Sequence, residues 1–195
     1  MFHILNVTNR FGIESTEHYE GYAHSATKFI PVFVGKGAKA SPPETFKLNE
    51  IILQAVMRKY LKDQRNQASF LNDLGINMDP AQLEVLGEKA LQEGIVDILI
   101  KETTSVPSSK KVAIEVKSNR ATMKDFDQIG AYVNTLGKEC LRGVLIARDF
   151  QKKVIAKAKN SNISLVRFSL PFSNDEKVCF DDLSEKFTLT ILKLV

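Results

Sequence analysis

The chain has 195 residues, of which 44% are hydrophobic and 26% charged, and its net charge is +4. This length and composition are typical of one globular domain with a sizeable core. They exclude a chain built on membrane-spanning helices, because no apolar run approaches the roughly 20 residues that such a helix needs. The first residues also lack the basic and apolar regions of a secretory signal, so we expect a cytoplasmic protein that does not bind membranes.

The positive charge is concentrated in one part of the sequence. Between Lys101 and Arg167 there are fourteen basic and six acidic residues, which gives this segment a net charge of +8 and leaves −4 for the rest. Such asymmetry favours a polyanionic partner such as a nucleic acid. Solvated lysines on surface helices would produce the same count, so the charge alone does not identify the partner.

The histidines and cysteines do not have the spacing of a metal site. His18 and His24 lie in a polar segment, and Cys140 and Cys179 are far apart without a C-x-x-C motif. We therefore expect surface histidines and buried free thiols, rather than a zinc site or a disulfide.

The beginning of the chain predicts a small β extension. Phe2–Val7 and Phe29–Val34 are rich in β-forming residues, and Pro31 makes the second segment an edge or bulged strand. A glycine- and lysine-containing segment follows, which predicts a flexible basic linker and lacks the P-loop pattern. We therefore divide the chain into an N-terminal extension with its linker at residues 1–40 and a main domain at residues 41–195.

The sequence from Pro43 to about Lys62 has the periodicity of an amphipathic helix. One stripe of this helix is apolar except for a single glutamate: Phe46, Glu50, Leu53, Met57 and Tyr60. A lone glutamate on a core-facing stripe requires a partner or a function. Glu50 is therefore a candidate site residue.

Two segments follow this helix. Asp63–Asp79 is polar and contains turn-forming residues, so we expect it to link the helix to a sheet. The apolar spacing of Gln82–Leu91 fits a short helix, in which Glu84 and Glu88 would share one face. Because a strand of this length is also compatible with the sequence, both interpretations stay open at this point.

Two strands joined by a turn carry the clearest chemical pattern. Ile95–Lys101 and Lys111–Ser118 are rich in Ile and Val, and they flank a Thr/Ser/Pro cluster. With the turn centred in this cluster, antiparallel pairing places Asp97 opposite Glu115. Because side chains alternate along a strand, Lys117 lies on the same face as Glu115. The opposite face is aliphatic and must be packed: Val96, Ile98, Ile100, Val112, Ile114 and Val116.

This arrangement of ionisable groups favours a metal site. Two neighbouring carboxylates among buried aliphatic residues resist ionisation unless a cation lies between them. Mg²⁺ commonly takes one or two carboxylates and keeps water and substrate phosphates as further ligands. Lys117 is placed to orient an attacking water or to neutralise charge that develops on a phosphate. Asp97, Glu115 and Lys117 are therefore predicted to hydrolyse phosphodiester bonds.

Helices and strands alternate in the rest of the chain. We predict a helix at Met123–Leu136 with Thr122 as its N-cap, a central strand at Arg142–Phe150, a basic helix at Gln151–Asn160, and strands at Ile163–Leu170 and Phe187–Leu194. The order of strand, helix and strand predicts a right-handed crossover and a parallel pair.

The motifs resemble a known nuclease superfamily. Asp97, the E-x-K of residues 115–117, and the Gln128 and Tyr132 of the next helix resemble the PD-(D/E)xK nucleases. Over roughly Gly94–Phe150 the sequence is similar to the RecB-type nuclease domain of archaeal NucS-like endonucleases. An E-x-K alone occurs by chance about once in a chain of this length. The aliphatic strand, the facing aspartate and the following helix make the pattern specific.

The resemblance implies a fold and a metal site. The fold is α/β, restriction-endonuclease-like, with a mixed central β-sheet flanked by helices and a small N-terminal β extension, and Gln82–Leu91 becomes its first strand. Asp97 and Glu115 would hold Mg²⁺ or Mn²⁺, with help from the backbone carbonyl of Val116 and from Glu50. If the first strand were helical instead, Glu84 or Glu88 would replace Glu50 as the third acid.

The resemblance also implies roles for residues around the metal. Lys117 would position or activate the attacking water. Gln128 would hydrogen-bond a carboxylate or a substrate phosphate, and Tyr132 would support it or contact the nucleotide. Arg120 and Lys124 follow the catalytic strand and would bind DNA phosphates.

The function that follows is a Mg²⁺- or Mn²⁺-dependent DNA endonuclease. Its partner would be DNA, and it would act as a monomer or as a homodimer that cuts both strands. The alternative is a non-catalytic nucleic-acid-binding or assembly module that retains the nuclease fold, and an RNA-directed nuclease stays open as well. The facing carboxylates of Asp97 and Glu115 argue against the non-catalytic module, because a site without activity does not require two paired acids.

Overall fold

The computed structural model describes residues 50–103, 109–171 and 180–194. The predicted strands Phe2–Val7 and Phe29–Val34 lie outside these residues, as do the basic linker and the start of the first predicted helix. The histidines at positions 18 and 24 and the cysteine at position 179 lie outside them too.

The described residues form helices and strands in alternation. In chain order these are α1 (Glu50–Lys62), α2 (Gln64–Asp73), β1 (Leu83–Leu91), β2 (Gly94–Glu102), β3 (Lys111–Ala121), α3 (Met123–Leu136), β4 (Cys140–Phe150), α4 (Lys152–Ala158), β5 (Ile163–Ser169), α5 (Phe180–Lys186) and β6 (Thr188–Ile191). Short 3₁₀ turns precede β1 and β4. No helix among these residues is long and apolar enough to cross a membrane.

The strands form one mixed six-stranded sheet in the order β1-β2-β3-β4-β5-β6. The first three strands pair antiparallel, β3, β4 and β5 pair parallel, and β6 returns antiparallel to β5. Helix α1 packs against β1, β2 and β3, and helix α3 packs against β3 and β4. The predicted α/β architecture with a mixed central sheet flanked by helices is therefore confirmed.

The predicted hairpin register is also confirmed. Ile98 pairs with Ile114, and Lys101 pairs with Lys111, with regular antiparallel pairs between them. The same register, continued by one residue, sets Asp97 opposite Glu115. All six residues of the aliphatic face are fully buried: Val96, Ile98, Ile100, Val112, Ile114 and Val116.

Two predicted elements need correction or completion, and one helix was not predicted. Asp63–Asp79 is not only a linker, because it contains α2, whose first turn is capped by the Asp63 side chain at 3.0 Å from the backbone nitrogens of Arg65 and Asn66. Gln82–Leu91 is a strand rather than a helix, as the resemblance implied. The helix α5 was not predicted.

Helix α3 has the predicted bounds because its start is well specified. The carboxylate of Asp125 accepts hydrogen bonds from both the backbone N–H and the hydroxyl of Thr122, each at 2.7 Å. These two bonds belong to a capping box, in which the N-cap residue and the third residue of the helix fix the start of the helix. Phe126 and Ile129 fill the core beneath the helix, and Cys140 at the start of β4 is a buried free thiol as predicted.

The described residues belong to two compact units. Leu48–Pro171 and Lys186–Val195 form the unit that contains the whole sheet. Phe180–Glu185 belongs to the other unit. The candidate active site lies entirely within the first of these units.

Candidate active site

Asp97 joins the two central strands at the point where their ladder ends. Its Oδ2 accepts a hydrogen bond from the backbone N–H of Val116 at 2.8 Å, and its carboxylate is also hydrogen-bonded by Gln54 of α1. Burial raises the pKa of Asp97 above its ordinary value, although the Val116 N–H and the charge of Lys117 act in the opposite direction. The carboxylate is thus fixed in place between α1 and β3.

Glu115 is the most buried acid of the site, with 1% of its side chain exposed. Its Oε1 lies 2.9 Å from Nζ of Lys117, whereas its Oε2 is buried and has no hydrogen-bond partner among the described residues. Burial, followed by the negative charge of Asp97, raises the pKa of Glu115 to about 7, and the Lys117 ammonium only partly offsets this. An unpaired buried carboxylate oxygen is costly, so this atom is expected to have a ligand.

Lys117 lies between two carboxylates. Its Nζ is 2.9 Å from Oε1 of Glu115 and 2.9 Å from Oε1 of Glu50. Burial by itself lowers the pKa of Lys117, but the hydrogen bonds and charges of Glu115 and Glu50 outweigh burial and raise the pKa above its ordinary value. The ammonium form is therefore favoured in this arrangement, where it can orient water or stabilise negative charge.

One stripe of helix α1 contacts three adjacent strands of the sheet. Glu50 contacts Lys117 of β3, and Gln54, one turn later, contacts Asp97 of β2. Arg58 follows after another turn and lies so close to Gly87 of β1 that any larger residue there would clash with its guanidinium. The helix therefore crosses these strands and brings Glu50 to β3 and Gln54 to β2.

The structure distinguishes between the three glutamates that the sequence left as candidates for the third acid of the site, beside Asp97 and Glu115. Glu50 reaches the site through Lys117. Glu84 forms an ion pair with Lys101 at 2.5 Å, and Glu88 is exposed on β1 with a positive φ of 51°. Because β1 is a strand, Glu84 and Glu88 do not share a helical face. Glu50 is therefore the acid that the fold brings to Glu115 and Lys117.

Sequence reasoning missed Gln54, which is 8% exposed and hydrogen-bonds Asp97. The signal was present, since Gln54 stands one helical turn after Glu50 and therefore lies on the same side of the helix. A second polar residue on the same side of the helix as Glu50 indicated that Gln54 belongs to the site.

Gln128 and Tyr132 form a chain of hydrogen bonds that ends on β2. Gln128 Nε2 donates to the Tyr132 hydroxyl at 3.0 Å, and that hydroxyl donates to the carbonyl oxygen of Ile95 at 2.9 Å. Tyr132 is 2% exposed. Its predicted alternative role of supporting the site fits this burial, whereas a direct contact with a nucleotide does not. Gln128 is bonded here to Tyr132 rather than to a carboxylate.

The two predicted phosphate-binding residues are exposed around the carboxyl end of β3, Arg120 within the strand and Lys124 after it. Arg120 donates from Nε to the carbonyl oxygen of Phe150 at 3.3 Å and lies 3.6 Å from the carboxylate of Asp149. Lys124 is exposed in the first turn of α3. Neither residue contacts the carboxylates of the site, so any role they have is in binding a longer substrate.

The donor set fits a hard divalent cation. No three His, Cys, Asp or Glu side chains are grouped as a complete metal cage in the described part of the chain. Magnesium does not need one, since it commonly takes one or two carboxylates and fills its shell with water and phosphate oxygens. The unpartnered Oε2 of Glu115 and the adjacent carboxylate of Asp97 are oxygen donors of the kind that such an ion takes.

The fold defines the class of protein. A helix, an antiparallel three-stranded unit, a second helix and a parallel fourth strand, with an aspartate on β2 and an E-x-K on β3, form a restriction-endonuclease-like domain of the PD-(D/E)xK superfamily. A specific family within this superfamily can also be named. Residues 82–182 match the family described as the endonuclease NucS C-terminal domain, which is just over half of the chain. The chain belongs to this family.

Two solved structures also match the chain. The crystal structure of a repair endonuclease from Pyrococcus abyssi has 17% identity and a TM-score of 0.43, over 62% of this chain and 47% of that chain. The structure of an EndoMS–dsDNA complex has 20% identity and a TM-score of 0.40, over 69% of this chain and 51% of that chain. The match therefore spans about half the length of each solved structure. No curated protein sequence matches the chain.

Proposed function

We propose that this protein is a Mg²⁺- or Mn²⁺-dependent endonuclease that hydrolyses phosphodiester bonds in DNA. The observation that carries the proposal is the unpartnered, buried Oε2 of Glu115, which lies in a site with Asp97 and beside the protonated Lys117. Membership of an endonuclease domain family supports the same conclusion. The net charge of +8 between Lys101 and Arg167 supports a polyanionic substrate.

Asp97 and Glu115 are the proposed metal ligands, with the backbone carbonyl of Val116 and, less directly, Glu50. A divalent ion held there would stabilise the charge of the phosphoryl transition state and acidify water. Glu50 contributes from the first turn of α1 by holding Lys117 through a second ion pair, in addition to that with Glu115. Gln54 keeps the Asp97 carboxylate oriented.

Lys117 is proposed to position the attacking water and to stabilise charge on the phosphate. Its ammonium is held at 2.9 Å from each of two carboxylates, so its direction is fixed before substrate binds. Preorganised donors of this kind cost little reorganisation in the transition state. Activation of the attacking water is the other role that we propose for Lys117.

The remaining predicted residues are proposed to act without contacting the cleaved bond. Gln128 orients the Tyr132 hydroxyl, which holds the carbonyl of Ile95 two residues before Asp97. These two are therefore positioning residues. Arg120 and Lys124 are proposed to bind phosphates of the DNA backbone away from the cleaved bond. A homodimer, which would cut both strands of the DNA, is also a proposal.

The metal and substrate requirements can be tested together. The full chain would be incubated with supercoiled plasmid, labelled single-stranded DNA and labelled RNA, in Mg²⁺, Mn²⁺ or EDTA. Cleavage of DNA that needs the metal and is not competed by RNA supports the proposal. DNA binding without cleavage under any metal would favour the non-catalytic module, and preferential cleavage of RNA would favour an RNA-directed enzyme.

A further inference from the structure

Arg167 lies in the same row of the sheet as Lys117. Lys117 on β3 pairs with Ala147 on β4, and Ala147 pairs with Arg167 on β5. Laterally paired residues project from the same face of a sheet. Neighbouring strands are about 4.8 Å apart, so the backbones of Lys117 and Arg167 are separated by about 10 Å. The two cations are therefore on one face, two strands apart.

Asp149 connects Arg167 to a second arginine. Its Oδ1 accepts a hydrogen bond from Nη2 of Arg167 at 3.0 Å, and its Oδ2 lies 3.6 Å from Nε of Arg120. The side chains of Arg120, Arg167 and Asp149 are 57%, 49% and 47% exposed. One carboxylate balances only one of the two positive charges, and each guanidinium has five N–H donors. The trio thus keeps a net positive charge and free donors on an open surface.

An irregularity in the sheet brings these residues together. From the Lys117–Ala147 pair to the next pair, β3 advances three residues to Arg120 while β4 advances two to Asp149. Bulges of this kind re-aim side chains and are common beside active sites. Without the extra residue, Arg120 would not pair with Asp149. The trio also lies near the carboxyl ends of three parallel strands, where open α/β sheets commonly bind their ligands.

We propose that Arg120 and Arg167, held together by Asp149, bind a backbone phosphate of the DNA strand that is cut beside Lys117. This inference rests on the proposed function and adds a second contact to it. A DNA strand rises about 3.4 Å per nucleotide along the helix axis, so a separation of about 10 Å places this phosphate within about three nucleotides of the cleaved bond. Two guanidiniums fixed by one carboxylate suit the planar, bidentate recognition of phosphate.

The test measures how DNA binding depends on salt. In the full chain, with Glu115→Gln present to prevent cleavage, the affinity for a short fluorescent DNA would be measured by anisotropy at several salt concentrations. Loss of one phosphate contact lowers the slope of log K against log salt by about 0.7 to 0.9. Arg120→Ala and Arg167→Ala are each expected to show this loss, and Arg167→Lys is expected to keep the slope. A merely structural role would not move the slope.

Lys157→Ala is the matched control. Lys157 of α4 is an exposed cation that pairs with Asp127 of α3 at 2.8 Å and not with Asp149, so its removal changes the charge equally and is expected to leave the slope unchanged. Unchanged slopes in both alanine variants, or an equal loss in Lys157→Ala, would overturn the inference. Cleavage by the chain with an intact Glu115 is measured in parallel. If that chain cuts DNA while the arginine variants keep the slope of the Glu115→Gln protein, only this inference fails. If it binds DNA without cutting it while the arginine variants lose slope, the proposed function fails and the arginine pair is a phosphate contact beside a strand that is not cut.

Discussion

The Oδ2 atom of Asp97 lies 2.8 Å from the backbone nitrogen of Val116, on the neighbouring strand. The regular β2–β3 pairs end at Ile98 and Ile114, so the carboxylate satisfies an N–H that the ladder no longer reaches. One side chain therefore has two tasks. It closes the end of a hairpin, and it presents an acid beside Glu115.

These two tasks of Asp97 can be separated by substitution. Asp97→Asn keeps an acceptor for the Val116 N–H, so we expect its free energy of unfolding to stay within about 1 kcal/mol of the original value while metal-dependent cleavage is lost. Asp97→Ala leaves a buried N–H unpaired and is expected to cost about 1–3 kcal/mol in addition. Urea unfolding and a cleavage assay on both variants measure the two effects. Equal stability of the two variants would show that the hydrogen bond does not hold the strands.

Glu115 is expected to make the metal-free protein less stable as the pH rises. Burial and the charge of Asp97 raise its pKa from 4.5 to about 7. Between these two values the folded protein keeps a proton that the unfolded chain has released, so the free energy of unfolding falls with increasing pH. The loss is complete above about pH 7 and amounts to roughly 3 kcal/mol at most.

Glu115→Gln removes this ionisation and tests the direction. In EDTA the variant is expected to be more stable than the original protein at pH 8, and to differ little from it at pH 4. Guanidinium unfolding at both pH values measures this, with Glu139→Gln as a control from another partly buried ion pair, that of Glu139 with Lys111. A variant that is equally destabilised at both pH values would contradict the expected sign.

Lys117→Met leaves two carboxylates facing each other without their shared cation. Because Glu115 is buried, we expect this variant to lose about 2 kcal/mol at pH 8, and to lose less at a pH below the raised pKa of Glu115. Thermal or urea unfolding of Lys117→Met and Lys111→Met compares the two lysines of β3. A loss in Lys117→Met that does not depend on pH would mean that carboxylate repulsion is not its cause.

Tyr132→Phe removes the hydroxyl that joins Gln128 to the carbonyl of Ile95. Loss of this hydrogen bond is expected to lower the free energy of unfolding by about 1 kcal/mol. Because the hydroxyl positions β2 near Asp97 and does not contact the substrate, the turnover number is expected to fall while the KM for DNA stays constant. Steady-state cleavage rates over a range of DNA concentrations distinguish the two. A raised KM with an unchanged turnover number would instead assign Tyr132 to substrate binding.

The hairpin and helix α3 were predictable because local signals and long-range packing agree there. Asp97 and Lys101 alternate with fully buried aliphatic residues, which excludes a shift by one residue because that shift would move the aliphatic set to the other face of the sheet. Helix α3 begins where Thr122 and Asp125 form a capping box. In both places the sequence contains the structural information within a few residues.

Other elements depend on contacts that are remote in sequence. Helix α2 is mostly polar, and its buried face consists of Gln67, Phe70 and Leu71, so its stability comes from packing rather than from a clear apolar stripe. Strand β1 is at the edge of the sheet and lacks clean alternation, which left it ambiguous. The hydrogen bond of Gln54 to Asp97 and the contact of Glu50 with Lys117 became visible only once α1 was placed across the sheet.

The most direct test of the central claim is single-turnover cleavage of DNA in Mg²⁺ by four variants in two matched pairs. Glu115→Gln and Lys117→Met alter the site, and Glu139→Gln and Lys111→Met alter a comparable ion pair that also involves β3. We predict that the first two lose at least about a hundredfold in rate, as expected when a metal ligand or a preorganised donor is removed, and that the other two cut at the original rate. Cleavage by Glu115→Gln at the original rate would contradict the account, because the buried carboxylate would then have no part in the reaction.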